Sequence, residues 1–295
     1  MLIFVFCFFA CDANAGEIVF EKDIVYGKGG DVDLKLDLAR PKEGNGPFPA
    51  IVFIHGGGWM GGNRDMYDDD IQTAAGKGYV AITITYRLTD PDKTTGKPKH
   101  PWPAQIEDAK CAVRWLRANA DKYHIDAKHI GATGASAGGH LSLMLGVCDE
   151  TAGFEGHGGN ENQSSRVQAV VNYYGPTELA SAHAATKPGT KKAFEGLFGT
   201  TPDKAAEAYK AASPVTYLSK DDPPMLTLHG SEDPAVVPEQ ASLFSRAAMK
   251  AGATNIVTFF NGEGHGFKKG YARETAEKQT YEWFDKYLKG EGTKP

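Results

Sequence analysis

Gly134-Ala135-Ser136-Ala137-Gly138 decides how the rest of the chain is read. It has the form G-x-S-x-G. A short strand is expected just before it, near His129 to Thr133, and a helix just after it, from about Ala137 to Val147. Strand, tight turn, serine and helix together make the setting of a nucleophile elbow. Glycines flank the serine because the turn is crowded and a side chain there would strike neighbouring elements. The dipole of the following helix favours negative charge beside Ser136. A serine ahead of a helix is also an ordinary N-cap, so the motif alone leaves both roles open.

Working upstream, Ala50-Ile51-Val52-Phe53-Ile54 is continuously apolar, as in a strand buried on both faces. It runs directly into His55-Gly56-Gly57-Gly58-Trp59. Glycines there let the backbone turn sharply and leave N–H groups uncovered. With the N–H that follows the serine, the donors would be Gly57, Gly58 and Ala137, aimed at a developing oxyanion. A phosphate-cradling loop is the competing reading, but no Lys and Ser/Thr follow in P-loop fashion. His55 is expected to bond within its own loop. Trp59 is expected to wall a substrate pocket, with a core role as the alternative.

A serine nucleophile needs a base, and the base needs an acid to orient it. Around such an elbow the chain order is Ser, then Asp or Glu, then His. Of nine histidines, only His265 lies late and in a loop between a strand and a helix, within Gly262-Glu263-Gly264-His265-Gly266-Phe267. Leu226-Thr227-Leu228-His229-Gly230-Ser231-Glu232-Asp233-Pro234 places Asp233 just past a strand. Its short carboxylate before proline suits a fixed turn. Glu232 and Glu263 are the competitors for the acid.

The remaining pattern alternates strands and helices. Two strand-like stretches fall between Glu17 and Leu38, and residues 31 to 38 alternate as in a half-exposed strand. Tyr79 to Tyr86 reads as a buried strand. A helix follows Pro103, and a strand is expected over Val167 to Tyr174. Met225 to Leu228 and Asn255 to Phe260 read as strands, Pro238 to Ala251 and Arg273 to Leu288 as helices. The class is α/β, with a mostly parallel sheet and helices on both faces. Residues 16–295 are read as a single domain. Residues 176–222 carry no strong strand and a helix-like segment from Pro202 to Ala212, and are read as a small lid insertion.

The 295 residues carry 41% hydrophobic and 23% charged side chains, with a formal charge of -5. This excludes a disordered chain, a collagen-like fibre and a small disulfide scaffold. There is no basic excess of the kind nucleic-acid binders show. The acidic run Asp65, Asp68, Asp69, Asp70 reads as a solvated loop or helix start rather than a metal site. Leu2 to Ala10 is an apolar run too short to span a bilayer. With Ala13-Asn14-Ala15 as a small-x-small site, residues 1–15 read as a cleaved export signal, although no Lys or Arg precedes the run. The alternatives are lipidation at Cys11 and a buried N-terminal strand. Cys111 and Cys148 would remain, with two buried free thiols favoured over a disulfide.

Taken together, the motifs resemble the α/β-hydrolase superfamily. More narrowly, the chain is similar to hormone-sensitive-lipase-like esterases and to the bacterial feruloyl-esterase-like (BD-FAE) group. The resemblance runs from about Ile18 to Leu288. It is carried by Phe53 to Trp59, Pro101-Trp102-Pro103-Ala104-Gln105 and Ala112-Val113-Arg114-Trp115-Leu116-Arg117. It continues through Gly134 to Leu141, Tyr174-Gly175-Pro176-Thr177, Leu228 to Pro234 and Gly264 to Phe267.

The resemblance implies a serine carboxylesterase with a Ser136–Asp233–His265 triad and an acyl-enzyme. It implies no metal or organic cofactor, a small-molecule or carbohydrate-linked ester substrate, and no nucleic-acid partner or stable membrane span. Short acyl groups are expected, with acetyl or feruloyl esters on plant polysaccharide as the natural setting. Fewer residues stand ahead of the His55 loop than a full lipase-type cap needs, so cover over the site is expected from residues 176–222. Arylformamide hydrolysis, a peptidase-like activity and a catalytically inactive binding module on the same fold are the competing readings.

Overall fold

The computed structural model describes residues 16–290 except 45, 93 and 269. The readings of residues 1–15 as export signal, lipidation site or strand therefore fall outside the described residues.

Eight strands form one sheet: β1 (Ile18–Gly29), β2 (Val32–Pro41), β3 (Phe48–Ile54), β4 (Val80–Ile84), β5 (Ile125–Ala135), β6 (Ala169–Tyr173), β7 (Met225–Gly230) and β8 (Asn255–Phe260). Their order is β1-β2-β4-β3-β5-β6-β7-β8. β1 pairs with β2, and β2 with β4, antiparallel; the other five pairings are parallel. The chain goes from β3 to β4 on one side, then crosses to β5 on the other. The strand order thus reverses between β3 and β5, and a crevice opens at their carboxyl ends, where α/β folds place ligands.

The helices are α1 (Asp68–Gly76), α2 (Ala104–Ala118), α3 (Ala120–Tyr123), α4 (Ala137–Val147), α5 (Leu179–Ala185), α6 (Pro188–Phe198), α7 (Ala206–Ala211), α8 (Glu239–Ala251) and α9 (Tyr271–Phe284). α9 continues into one π-helical turn, Asp285–Lys289. Two apolar layers follow from the two-residue period of the strands. Val52, Ile54, Ile82, Ala132 and Val170 face one layer, with Ile106, Val113, Leu141, Leu145, Leu179 and Phe194 of the helices. Ile51, Phe53, Ala81, Val171 and Leu228 face the other, with Ile71, Ala74, Ala276 and Phe284 of α1 and α9.

The alternation in β2 breaks at Asp37, which is fully buried rather than solvent-facing. Its carboxylate meets Arg64 Nε at 2.9 Å and accepts the Asp23 N–H at 2.7 Å, so the charge is paired in place. Asp68, Asp69 and Asp70 open α1, where the helix dipole favours them. Asp37, Asp65 and Asp68 are the one acidic trio among the described residues close enough to share an ion. Lys22 Nζ already sits on it, 2.7 Å from Asp68 and 3.1 Å from Asp65. Cys111 and Cys148 are free and buried, so the disulfide alternative is set aside.

Residues 176–222 hold α5, α6 and α7, two more helices than the sequence pattern suggests. The start of the segment is pinned to α8: Thr177 N–H and Glu178 N–H both donate to Gln240 Oε1, at 2.9 and 2.8 Å. α6 lies against the loop after β3.

Candidate active site

Each sequence-predicted residue lies at a strand's carboxyl end, and the sheet brings those ends together. Ser136 follows β5 directly. It takes φ 57°, ψ −116°, a region that side chains other than glycine rarely adopt. Its N–H donates to Tyr173 O at 2.8 Å, and its carbonyl accepts His140 N–H at 2.9 Å, so backbone bonds on both sides impose the conformation. The residue sits at the N-cap of α4, yet its side chain makes no capping bond. Among the described residues the hydroxyl has no hydrogen-bond partner, and the ordinary N-cap role is not in use.

The glycines answer to contact rather than to flexibility alone. A Cβ on Gly56 would stand 2.8 Å from Ala135 O and 3.5 Å from Ser136 Cβ. A Cβ on Gly138 would run into the Ile54 carbonyl. The loop after β3 and the elbow after β5 therefore close on each other only without side chains at these points. Gly57 and Gly58 take φ 112° and 61°. The Gly57 carbonyl accepts both Met60 N–H and Gly61 N–H, forming a tight turn. Among the described residues neither the Gly57 nor the Gly58 N–H has an acceptor. Ala137 opens α4, so its N–H has none within the helix. These are the three donors expected from sequence.

His55 Nδ1 lies 2.7 Å from Gly56 O, and its ring stacks on Tyr86 at 4.3 Å. Burial lowers its pKa. It braces the loop and is a neutral group there. Trp59 is only 2% exposed. Its Nε1–H donates to His140 Nδ1 at 3.3 Å, and its ring packs edge-on against Phe194 of α6 at 5.5 Å. This is the core placement, not that of a residue facing open space. A Cβ on Gly58 would stand 2.8 Å from Ala193 Cβ, so α6 rests directly on this loop.

Asp233 and His265 meet. His265 Nδ1 is 2.7 Å from Asp233 Oδ2, with the carboxylate fully buried and the imidazole 26% exposed. Asp233 Oδ1 accepts the N–H groups of Ala235 (2.8 Å) and Val236 (3.0 Å), which fixes the carboxylate in its turn. The competitors are placed otherwise: Glu263 Oε2 accepts Lys268 N–H, and Glu232 binds the same loop through its N–H. Burial pushes the Asp233 carboxyl up, but hydrogen bonds from His229, His265 and the Val236 N–H outweigh it. The group is held well below the usual carboxylate range.

Three residues lie beyond what the motifs identify. Fully buried His229 reaches Val236 O at 2.8 Å and Asp233 Oδ2 at 3.5 Å, giving the acid a second imidazole neighbour. His140 bridges Trp59 and, through Nε2, the Ala212 carbonyl at 2.7 Å. The signal for both is position: His229 is the penultimate residue of the strand before Asp233, and His140 is the fourth residue after Ser136. Tyr174 follows β6, between the elbow and the His265 loop, with its ring 4.7 Å from that of His265. Among the seven described non-glycine residues with positive φ, Trp59, Ser136 and Tyr174 all fall in this crevice. Backbone strain concentrated in this way is characteristic of functional sites.

The arrangement offers a free hydroxyl at a helix N-terminus, a carboxylate-oriented imidazole on a neighbouring loop and uncovered N–H groups opposite. That set can transfer an acyl group. No hydrogen bond links Ser136 to His265 among the described residues. Catalytic contacts of this kind often tighten only around substrate.

The chain and its fold have counterparts among known proteins. The BD-FAE family model matches residues 36–248. Esterase LipC of Mycobacterium tuberculosis is 31% identical over 254 residues, covering 84% of this chain and 60% of its own length. The chain spans half to three-fifths of the length of the curated relatives it matches. A truncated carbohydrate esterase from gut microbiota superposes with a TM-score of 0.78 at 30% identity, covering 91% of this chain and 97% of that one. The thermophilic esterase Est2 of Thermogutta terrifontis gives a TM-score of 0.75 at 28% identity, covering 92% and 95%.

Proposed function

The chain belongs to the BD-FAE family of α/β-hydrolases, and on that premise we propose that it is a serine carboxylesterase acting on short-chain acyl esters. The observation that carries this reading is the 2.7 Å pairing of His265 with buried Asp233, in a protein whose strained elbow serine leaves its hydroxyl unengaged. In the proposed reaction Ser136 Oγ attacks the ester carbonyl carbon, and His265 Nε2 takes its proton. Asp233 holds the imidazole tautomer and stabilises the imidazolium. The N–H groups of Gly57, Gly58 and Ala137 receive the oxyanion, each worth about 3 kcal/mol in reactions of this type. The C–O bond then breaks, and the alcohol leaves with the proton from His265. Water, deprotonated by the same imidazole, cleaves the acyl-enzyme and releases the acid.

The short-acyl preference is supported by α6 lying on the Gly58–Trp59 loop, with Ala193 and Phe194 against it. We infer acetyl or feruloyl groups on plant polysaccharide as natural substrates, in keeping with the carbohydrate esterase that the fold matches. We further infer export, from the apolar run and the Ala13-Asn14-Ala15 site of the sequence. N-terminal sequencing of the protein recovered from its native host tests that last point.

Initial rates on p-nitrophenyl esters from acetate to palmitate test the activity. Fast acetate or butyrate turnover with none on palmitate is the expected result. Folded protein that turns over none of them would overturn the esterase reading.

A further inference from the structure

On the α1/α9 side of the sheet, opposite α6, lies a cavity of about 310 Å³. Its wall includes Ala135, the residue directly before Ser136, and Gly266, the residue directly after His265. The proposed reaction, as far as Ser136, His265 and the N–H donors are concerned, makes no use of it. Its polar lining is nevertheless specific.

Thr133 lines it from β5. This residue is 2% exposed, and its Oγ1 is buried with no hydrogen-bond partner. Buried hydroxyls are nearly always satisfied, so an orphan facing a cavity points to a group that arrives from outside. Asp70 of α1 and Arg273 of α9 also line it. Among the described residues they form no ion pair with each other or with any other side chain. Tyr67, Tyr174 and Tyr281 supply ring faces, and their hydroxyls have no partner among the described residues. Burial pushes the Asp70 carboxyl up to about 6, with Arg273 opposing and Glu277 adding to the shift.

We propose that this cavity binds one hydroxyl-rich sugar ring, seated beside the triad. The chemistry of the lining selects among ligands. A fatty chain would leave Thr133 and Asp70 unsatisfied. An anion would face two carboxylates, Asp70 and Glu277, against one guanidinium. A planar phenol offers too few polar atoms for donors and acceptors spread around the wall. A sugar ring presents hydroxyls that both donate and accept around its rim and apolar faces that suit tyrosine rings. The volume is at the low end for ligand pockets, room for one ring rather than a chain of them. Tyr174 joins the two regions, since it lines the cavity and packs on His265. The ring bound here is therefore the leaving alcohol, which takes its proton from His265. This last step rests on the esterase reading; the binding itself does not.

The test is calorimetric titration of the full chain with methyl β-xylopyranoside and, separately, with methyl ferulate. It uses wild type, Ser136→Ala, Thr133→Val and Asp70→Asn. The xyloside should bind wild type and Ser136→Ala alike. Its affinity should fall about fivefold or more in Thr133→Val, which loses a hydrogen bond, and in Asp70→Asn, whose amide keeps an acceptor oxygen but gives up the charge-assisted bond. No xyloside binding, or binding unchanged in both cavity variants, would overturn the proposal. Ferulate binding in the xyloside's stead, weakened by the same two changes, would overturn the sugar assignment. The kinetic arm compares kcat/KM for a monoacetylated methyl xyloside with that for ethyl acetate. The ratio should drop in Thr133→Val by a similar factor, and an unchanged ratio would remove the leaving-group role. Wild type that cleaves neither ester would sink the esterase reading alone, because the titration is read without turnover.

Discussion

The indole Nε1–H of Trp59 donates to Nδ1 of His140 across 3.3 Å, and the other ring nitrogen of His140 lies 2.7 Å from the Ala212 carbonyl. One neutral imidazole thereby ties the loop after β3, the helix after Ser136 and the residue that follows α7. Its lone pair on Nδ1 is in use, so a second proton would break the link. Burial lowers its pKa to about 4, with the Ala212 bond opposing. Between about pH 6.5 and 4 the unfolded chain takes up a proton that the folded one refuses. Stability therefore falls as pH drops through that window, by about 3 kcal/mol from this group. Urea denaturation at pH 7 and pH 4.5 checks it: the pH-dependent loss should shrink in His140→Asn.

Ser136→Ala should lower kcat on p-nitrophenyl acetate by at least about 10⁴-fold. The hydroxyl holds no hydrogen bond among the described residues, so circular dichroism and melting temperature should match wild type. Retained activity in a folded variant would remove Ser136 from the mechanism.

Asp233→Asn keeps an oxygen for the Ala235 and Val236 N–H groups but turns an amide toward His265. We expect kcat to fall about 10⁴-fold with little change in KM. The lowered pKa of Asp233 adds a second readout. The ionised group stabilises the fold fully above about pH 4, and that contribution is lost as pH falls further. The wild-type advantage over Asp233→Asn in urea should therefore be flat from pH 5 to 8 and shrink below pH 4.

Asp70 carries the opposite sign. Its raised pKa means that the folded state holds a proton more tightly than the unfolded one between about pH 4 and 6. Stability falls as pH rises through that window, and the penalty is complete above it. Asp70→Asn should therefore stabilise the protein by about 1–2 kcal/mol at pH 7.5 and by almost nothing at pH 4. A group kept at such a cost to the fold is typical of a binding site.

Gly58→Ala should lower kcat and loosen α6 together, since the new Cβ meets Ala193 at 2.8 Å and φ is 61°. Adding Ala193→Gly should restore part of the activity by relieving the contact, leaving the backbone strain of about 1 kcal/mol. Failure of the double variant to recover any rate would place the defect in the loop alone.

Where Ser136, Asp233 and His265 would stand was legible because each falls within a few residues of a strand's carboxyl end, and a strand's end is a local feature. The sheet was legible for the same reason: Ala50 to Ile54 and Met225 to Leu228 are too short and too apolar to be anything but buried strands. What escaped depends on tertiary contact. α5 and α6 are short, and their apolar positions make sense only against Trp59 and its neighbours. Asp37 reads as a solvent-facing residue until Arg64 is seen to cover it. Thr133 reads as one strand residue among several, because an orphaned hydroxyl is a property of its surroundings. The strand alternation that sends Thr133 to the α1/α9 face is visible in sequence; the hollow it faces is not.

The order of the strands has a consequence for how the protein comes to life. Ser136 and the glycine loop belong to the first half of the chain, whereas Asp233 and His265 follow β7 and β8, and β8 is the last strand and an edge of the sheet. A growing or refolding chain that has completed β5, α4 and β6 can hold the Ser136 turn but still lacks Asp233 and His265. In the proposed reaction Ser136 gains its base only when β8 has docked and His265 stands in the loop after it. Turnover during refolding should thus lag behind burial of Trp59, and its delay times the closing of the sheet.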